Sequence, residues 1–215
     1  MTDDLDDLIR RVDPDRWLSS RFIADPQARA DVIALYAYDY ELARAPKVAS
    51  NALLGEIRLT WWREVLDEAF EGRSVRAHPT AQALAGVIRR HSLPREPLEA
   101  MIDGRYRELD AAPMSPDEAL AWARGMAGRA AEVAAHILDP KASVADVVAS
   151  GAVWALSRKG LGIDANEAAT AKAGARSVSV AAFPAVAHAT LALHPAKSDL
   201  GKRLRLTWAV ARGRL

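Results

Sequence analysis

Residues 34–72, ALYAYDYELARAPKVASNALLGEIRLTWWREVLDEAFEG, decide the fold class. In the second half of this stretch Leu54, Ile57, Trp61 and Val65 recur at offsets of three, seven and eleven. A helix has about 3.6 residues per turn, so these side chains share one face, and the spacing predicts a long core helix. Glu56, Arg63, Glu64 and Asp67 fall on the other side, as expected of a helix packed on one face only. Upstream, Asp25-Pro26 opens a helix predicted from about Gln27 through Arg44. Pro46 is expected to end it, because proline lacks the backbone donor and disfavours helical geometry at the preceding residue.

Outward from this core the helical period continues. Residues 3–12 read as a short helix with acids in its first turn and Arg10 and Arg11 at its end, which suits the helix dipole. The acid run DDLDD is read as a solvated cap rather than a metal motif. Asp13-Pro14 and Asp15 break the chain before Arg16, Trp17 and Leu18. A helix is expected from about Pro79 to His91, then two more separated by a break at Ala111 to Ser115. Ser115, Pro116 and Glu118 make a capping box for the second. Residues 144–160 read as a helix stopped by Gly160 and Gly162, Asn166 to Gly174 as a loose helix or loop, and Ser179 to Leu193 as a helix interrupted by Pro184.

The last segment, Ser198 to Leu215, combines Lys202, Arg203, Arg205, Arg212 and Arg214 with Leu204, Leu206, Trp208 and Val210. It is a basic amphipathic helix with two readings. Either it docks on anionic lipid or an acidic partner, or it is a final core helix with solvated cations. The second is favoured, because Trp208 and the leucines suit a core.

Composition narrows the function classes. With 215 residues, 50% hydrophobic and 27% charged, the chain is expected to form one helical domain over 1–215 with a substantial core. A net charge of +1 gives no global field toward nucleic acid, and no nucleic-acid partner is expected. Zero cysteines remove disulfides and thiolate chemistry and fit a cytoplasmic protein, peripheral at a membrane surface if the last helix docks there. No apolar run reaches the ~18 residues needed to span a bilayer. His78, His91, His136, His188 and His194 lack HxxxH or HxH spacing, and neither GxSxG nor GxGxxG occurs. Of the tandem tryptophans, Trp61 is expected to pack and Trp62, beside Arg63, to sit at the rim.

LYAY at 35–38, WWREVLDEAFEG at 61–72, HPTAQAL at 78–84 and SLP at 92–94 together resemble the squalene/phytoene synthase family. The resemblance continues with WARGMAG at 122–128 and with Gly104 to Leu109, where Glu108 stands at an acid position. It implies an all-α bundle of the isoprenoid synthase type, shortened at its C-terminal end. In that family two aspartate clusters hold the magnesium ions that grip a prenyl diphosphate. The first cluster falls on Ala43, Arg44 and Lys47, and the second motif places Ala155 and Arg158 at its polar positions. Magnesium demands oxygen ligands, and a cation at 4 Å would repel it by roughly 1 to 4 kcal/mol. Asp39 and Glu41 are two apart on a helix and cannot face one site.

The resemblance therefore implies a catalytically degenerate member, without metal or cofactor, closest to the complex I assembly-factor branch. Its partner would be a protein or a membrane complex, and an isoprenoid-sized cavity would be lined by Tyr36, Tyr40, Arg44, Lys47, Gly128, Trp154 and Arg158. For Gly128, with Gly125 and Ala127, close helix packing is the favoured role. Two alternatives stay open. One is a magnesium-dependent prenyl-diphosphate transferase with relocated ligands such as Asp103, Glu108 and Asp110. The other is a metal-free carrier in which Arg44 and Lys47 bind a diphosphate or other anionic lipid headgroup.

Overall fold

Helix α1 (Thr2–Val12) runs into α2 (Pro14–Ser20) across Asp13, whose carboxylate caps the backbone N–H of Arg16 while Pro14 fills the first turn. The computed structural model describes residues 2–47 and 52–215, and among these it contains helices and no strand. At the centre lies α3 (Pro26–Lys47), in which every residue from Asp31 through Asp39 is buried. A helix covered on all sides cannot show one apolar stripe. Pro46 does not stop it short: the helix continues through Lys47, with the proline in its last described turn, where the only loss is the donor to the Leu42 carbonyl.

Helix α4 (Ala52–Phe70) packs on α3 through a different face from the one expected. Gly55, Leu59, Trp62, Leu66 and Ala69 are buried, whereas Leu53, Leu54 and Ile57 are exposed. Two apolar stripes overlap on this helix, and the close approach at Gly55 selects between them. A Cβ there would run into the Leu109 side chain. The tryptophans exchange roles for the same reason. Trp62 is buried, edge-on to Tyr38 with ring centroids 5.3 Å apart, and Trp61 lies half-buried at the rim.

Helices α5 (Pro79–His91) and α6 (Arg95–Tyr106) complete one flank, with the Tyr38 hydroxyl donating to the Leu98 carbonyl at 2.9 Å. The Ser115 capping box opens α7 (Pro116–Ala123) as expected. A π-helical turn, Arg124–Gly128, joins it to α8 (Arg129–Leu138). Against that turn lies α9 (Val144–Arg158), ended near Gly160 at φ 68°, and against α9 lies α10 (Ala165–Ser177), capped by Asp164. Pro184 does interrupt the next segment, leaving a 3-10 turn, Phe183–Ala185, and the short α11 (Ala189–Leu193).

The last helix, α12 (Asp199–Arg212), is not the core helix that was favoured. Only Leu206 and Ala209 are buried, and Leu200, Leu204 and Trp208 face outward. Its inner side is fixed by those two small contacts and by Lys202, which pairs with Asp15 at 2.9 Å. Among the described residues no helix is long and apolar enough to cross a membrane.

Candidate functional site

The central helix turns one side toward a cavity of about 230 Å³ closed by α2, α6, the π-helical turn and the C-terminal half of α9. Five of the residues expected at a ligand site line it: Tyr36, Tyr40, Lys47, Trp154 and Arg158. Ala43 and Ala155 line it as well, so four of the five positions read as altered metal-ligand positions, Ala43, Lys47, Ala155 and Arg158, face this space. Two expected residues are elsewhere. Arg44 turns to a separate groove, where it pairs with Glu41 at 3.0 Å, so Arg44 and Lys47 do not converge on one anion. Gly128 packs on α9, where a Cβ would come within 2.8 Å of Val148, which is the close-packing role.

The floor of the cavity is an ion-pair network that the sequence did not reveal. Arg16, only 2% exposed, donates to Asp39 at 2.7 Å, and Arg105 donates to the other Asp39 oxygen at 2.6 Å. Arg105 also donates to Glu108 at 2.5 Å, and Glu108 receives Trp122 Nε1 at 3.1 Å and Lys159 at 3.2 Å. The Arg16 guanidinium lies 3.9 Å from the Trp154 ring centroid and 5.0 Å from that of Tyr36. Cations between aromatic faces are stabilised by the ring quadrupoles, most strongly where water is excluded.

Burial alone would raise the carboxyl of Asp39, but Arg16 and Arg105 outweigh it and hold the group at about 2. Glu108 is lowered in the same way, with Arg105 and then Lys159 overcoming burial. Asp13 goes the other way, because burial exceeds the pull of Arg16 and Arg158. His188 stacks edge-on to Tyr36 and Trp154, and burial, reinforced by the charges of Arg16 and Arg158, pushes its pKa well below the usual histidine range. A histidine kept neutral in the fold takes up its proton only on unfolding. It therefore stabilises above about pH 6.5 and loses that contribution as pH falls. The expected result is an unfolding free energy that drops by up to about 1.4 kcal/mol per pH unit between pH 6.5 and 5. Urea titrations at several pH values would measure this slope, and His188→Gln should flatten it. Asp39 gives a second loss, between about pH 4 and 2, since its carboxylate must be protonated against two buried arginines.

A helical bundle with such a cavity beside its central helix defines a class, and a sequence model of the squalene/phytoene synthase family matches residues 9–159. The chain belongs to the squalene/phytoene synthase family. Its relatives include the NADH dehydrogenase (ubiquinone) complex I assembly factor 6 of Bos taurus, 29% identical over 104 residues, and that of Rattus norvegicus, 31% identical over 105. Each match covers 48% of this chain and 31% of the relative, so the matched region spans about a third of the length of those curated proteins. Two solved structures share the fold over nearly the whole chain. A dehydrosqualene synthase superposes with a TM-score of 0.70 at 13% identity, covering 98% of this chain and 95% of that one. The squalene synthase HpnC of Alicyclobacillus acidocaldarius gives 0.67 at 16% identity, covering 99% and 94%.

The family's enzymes work with magnesium, and the carboxylates present here do not fit it. Asp13, Asp39 and Glu108, the acids that line the cavity, have their oxygens engaged by Arg16, Arg105, Trp122 and Lys159. Divalent magnesium would need several free oxygens in a near-octahedral shell. Asp103 pairs with Arg63 at 2.5 Å and Asp110 with Arg107 at 3.7 Å, both on the surface, so the proposed relocated ligands Asp103, Glu108 and Asp110 are not brought together. Among the described residues no cluster of three or more metal-ligating side chains occurs.

Proposed function

We propose that this protein is a catalytically degenerate squalene/phytoene synthase-like chain that serves as a non-enzymatic binding or assembly factor for a membrane protein complex. The observation that carries the reading is the cavity floor, where guanidinium and ammonium groups already occupy the carboxylates that a metal would need. Ionising a prenyl diphosphate requires charge stabilisation of the leaving group. Here the acids instead neutralise the protein's own cations. The names of the assembly-factor relatives support the same direction.

The test is incubation of the purified protein with farnesyl and geranylgeranyl diphosphate, with and without magnesium, while diphosphate release and heat of binding are followed. No release is expected in either condition. Release that depends on magnesium would sink this reading and make the chain a transferase.

A second reading, a metal-free carrier of an anionic amphiphile, is favoured by one feature of the same cavity. Lys47 and Arg158 line it without an ion-pair partner among the described residues, and Tyr36 Oη and Trp154 Nε1 are buried without hydrogen-bond partners. On this reading the diphosphates bind without being cleaved, and Lys47→Glu with Arg158→Glu weakens binding by about a hundredfold, as expected for two lost charge-assisted contacts. Unchanged heat of binding in that variant would remove the carrier role.

A further inference from the structure

Three exposed apolar side chains on α12 stand in one line. Leu200, Leu204 and Trp208 are four residues apart and 67%, 62% and 61% exposed, while Leu206 and Ala209 face the core. At about 100° per residue, Arg203 projects on one flank of this stripe, and Arg205 and Arg212 on the other. Beside Trp208, a pocket of about 310 Å³ is lined by Arg205, Arg212, Arg214 and His194, with no acidic side chain in its wall. The Arg212 guanidinium sits 4.1 Å from the Trp208 ring centroid.

The cations that flank the stripe are left without carboxylate partners. Arg63, Arg76, Arg95, Arg107, Arg124 and Arg129 each pair with a carboxylate, whereas Arg203, Arg205, Arg212 and Arg214 pair with none among the described residues. An exposed apolar stripe costs solvation free energy in water, and flanking cations repel one another. Both costs are relieved at once by a surface that is apolar below and anionic above.

We propose that α12 is a membrane-docking helix that lies flat on an anionic phospholipid surface. Leu200, Leu204 and Trp208 enter the boundary between headgroups and acyl chains, with the indole at the level where aromatic side chains settle. The pocket of Arg205, Arg212 and Arg214 receives a lipid phosphate through charge-assisted hydrogen bonds, and Arg203 holds the opposite flank. An acidic peptide would satisfy the arginines and leave the stripe without a counterpart, so the lipid surface accounts for more of what is seen. The docking is separate from the chemistry of the central cavity, and its test has no diphosphate readout.

The experiment is flotation of the full chain with phosphatidylcholine vesicles and with vesicles carrying about three parts in ten phosphatidylglycerol, at about 0.1 M salt. Binding to the anionic vesicles is expected to exceed that to the neutral ones by at least about tenfold. Arg205→Glu with Arg212→Glu should reduce it by about 25-fold or more, at roughly fivefold per lost cation. Leu204→Ser with Trp208→Ser should reduce it by about tenfold while leaving circular dichroism and the melting temperature unchanged, because both side chains are exposed. The arginine pair supplies a second arm, since both side chains are exposed and neither belongs to the core. Equal flotation with both vesicle types, flotation with neither, or wild-type binding by both variants would overturn the proposal. So would capture of soluble polyglutamate, sensitive to the arginine changes, by a chain that ignores vesicles, and the partner would then be an acidic polypeptide.

Discussion

Asp39→Ala is expected to destabilise the protein by about 3 to 5 kcal/mol, the range found when one partner of a buried ion pair is removed. The carboxylate binds two guanidinium groups, one per oxygen, and both arginines are nearly inaccessible, at 2% and 6% exposure. Without it, Arg16 keeps Asp13 at 3.4 Å and Arg105 keeps Glu108, but each loses its shorter or second contact and has little exposed surface with which to find a replacement. A loss of this size is a large share of the 5 to 15 kcal/mol that stabilises an ordinary domain. Urea unfolding of Asp39→Ala, Arg16→Met and the double variant would test the coupling. The double variant should lose at least about 1 kcal/mol less than the sum of the singles. Additivity would mean that Arg16 and Asp39 do not depend on one another. The net benefit of the whole network is a different quantity, since its charges also cost free energy to desolvate.

Gly151→Ala should cost about 3 kcal/mol, although alanine in mid-helix ordinarily gains up to about 1 kcal/mol over glycine. The position is the contact between α9 and the π-helical turn. An added Cβ would lie 2.5 Å from the Ala127 carbonyl carbon and 2.8 Å from the Gly128 Cα. Backbone atoms cannot swing aside as a side-chain tip can, so the two helices must separate and the packing around Trp154 must open. Gly86 in α5 is the control, because the nearest atom to a Cβ there is the end of Arg90 at 4.0 Å. Gly86→Ala should follow the ordinary helical preference and stabilise slightly. Thermal melts of the two variants would therefore shift in opposite directions. If Gly151→Ala melted with the wild type, the spacing of the two helices would have to be set by something other than this glycine.

Local signals in the sequence were read correctly where they are local in physics. The Ser115 capping box, the Pro79 start of α5 and the break at Pro184 depend on a few neighbouring residues and their own hydrogen bonds. The inward face of α4 depends on which of two overlapping stripes finds partners, and that is decided by α3 and Leu109 rather than by spacing. Trp208 illustrates the same limit, since nothing within α12 tells an indole whether another helix will cover it.

The site divides in a similar way. Tyr36, Tyr40, Lys47, Trp154 and Arg158 were placed by motif order, and they do line one cavity. Arg44 was misplaced because one helix position away from Ala43 is a rotation of about 100°, which carries it to another surface. Arg16 and Arg105 in the cavity wall, and His188 behind Tyr36 and Trp154, carry no local signal, because each is an ordinary residue in its own helix or turn. A signal for the network was present at Asp39, a carboxylate set between Tyr38 and Tyr40 in an otherwise apolar run. Such an acid must be buried with a cation. Its partners lie 23 and 66 residues away, however, and only the folded chain brings them together.

The π-helical turn at Arg124–Gly128 works as a crank in the shaft that runs from Pro116 to Leu138. A turn wound with one residue more than usual offsets everything beyond it by about 100°. On one side of the offset Ala119, Trp122 and Ala123 meet the cluster around Trp154. On the other side Ala130, Ala134 and Ile137 meet the main core around the central helix. One rod thus serves two bearings that a straight helix could not engage together. Loss of a single residue within the turn would rotate α8 as a whole and bring each of its buried residues, consecutive from Ala130 through Ala135, against the wrong neighbours, so the length of this short stretch is held as tightly as the identity of any side chain in it.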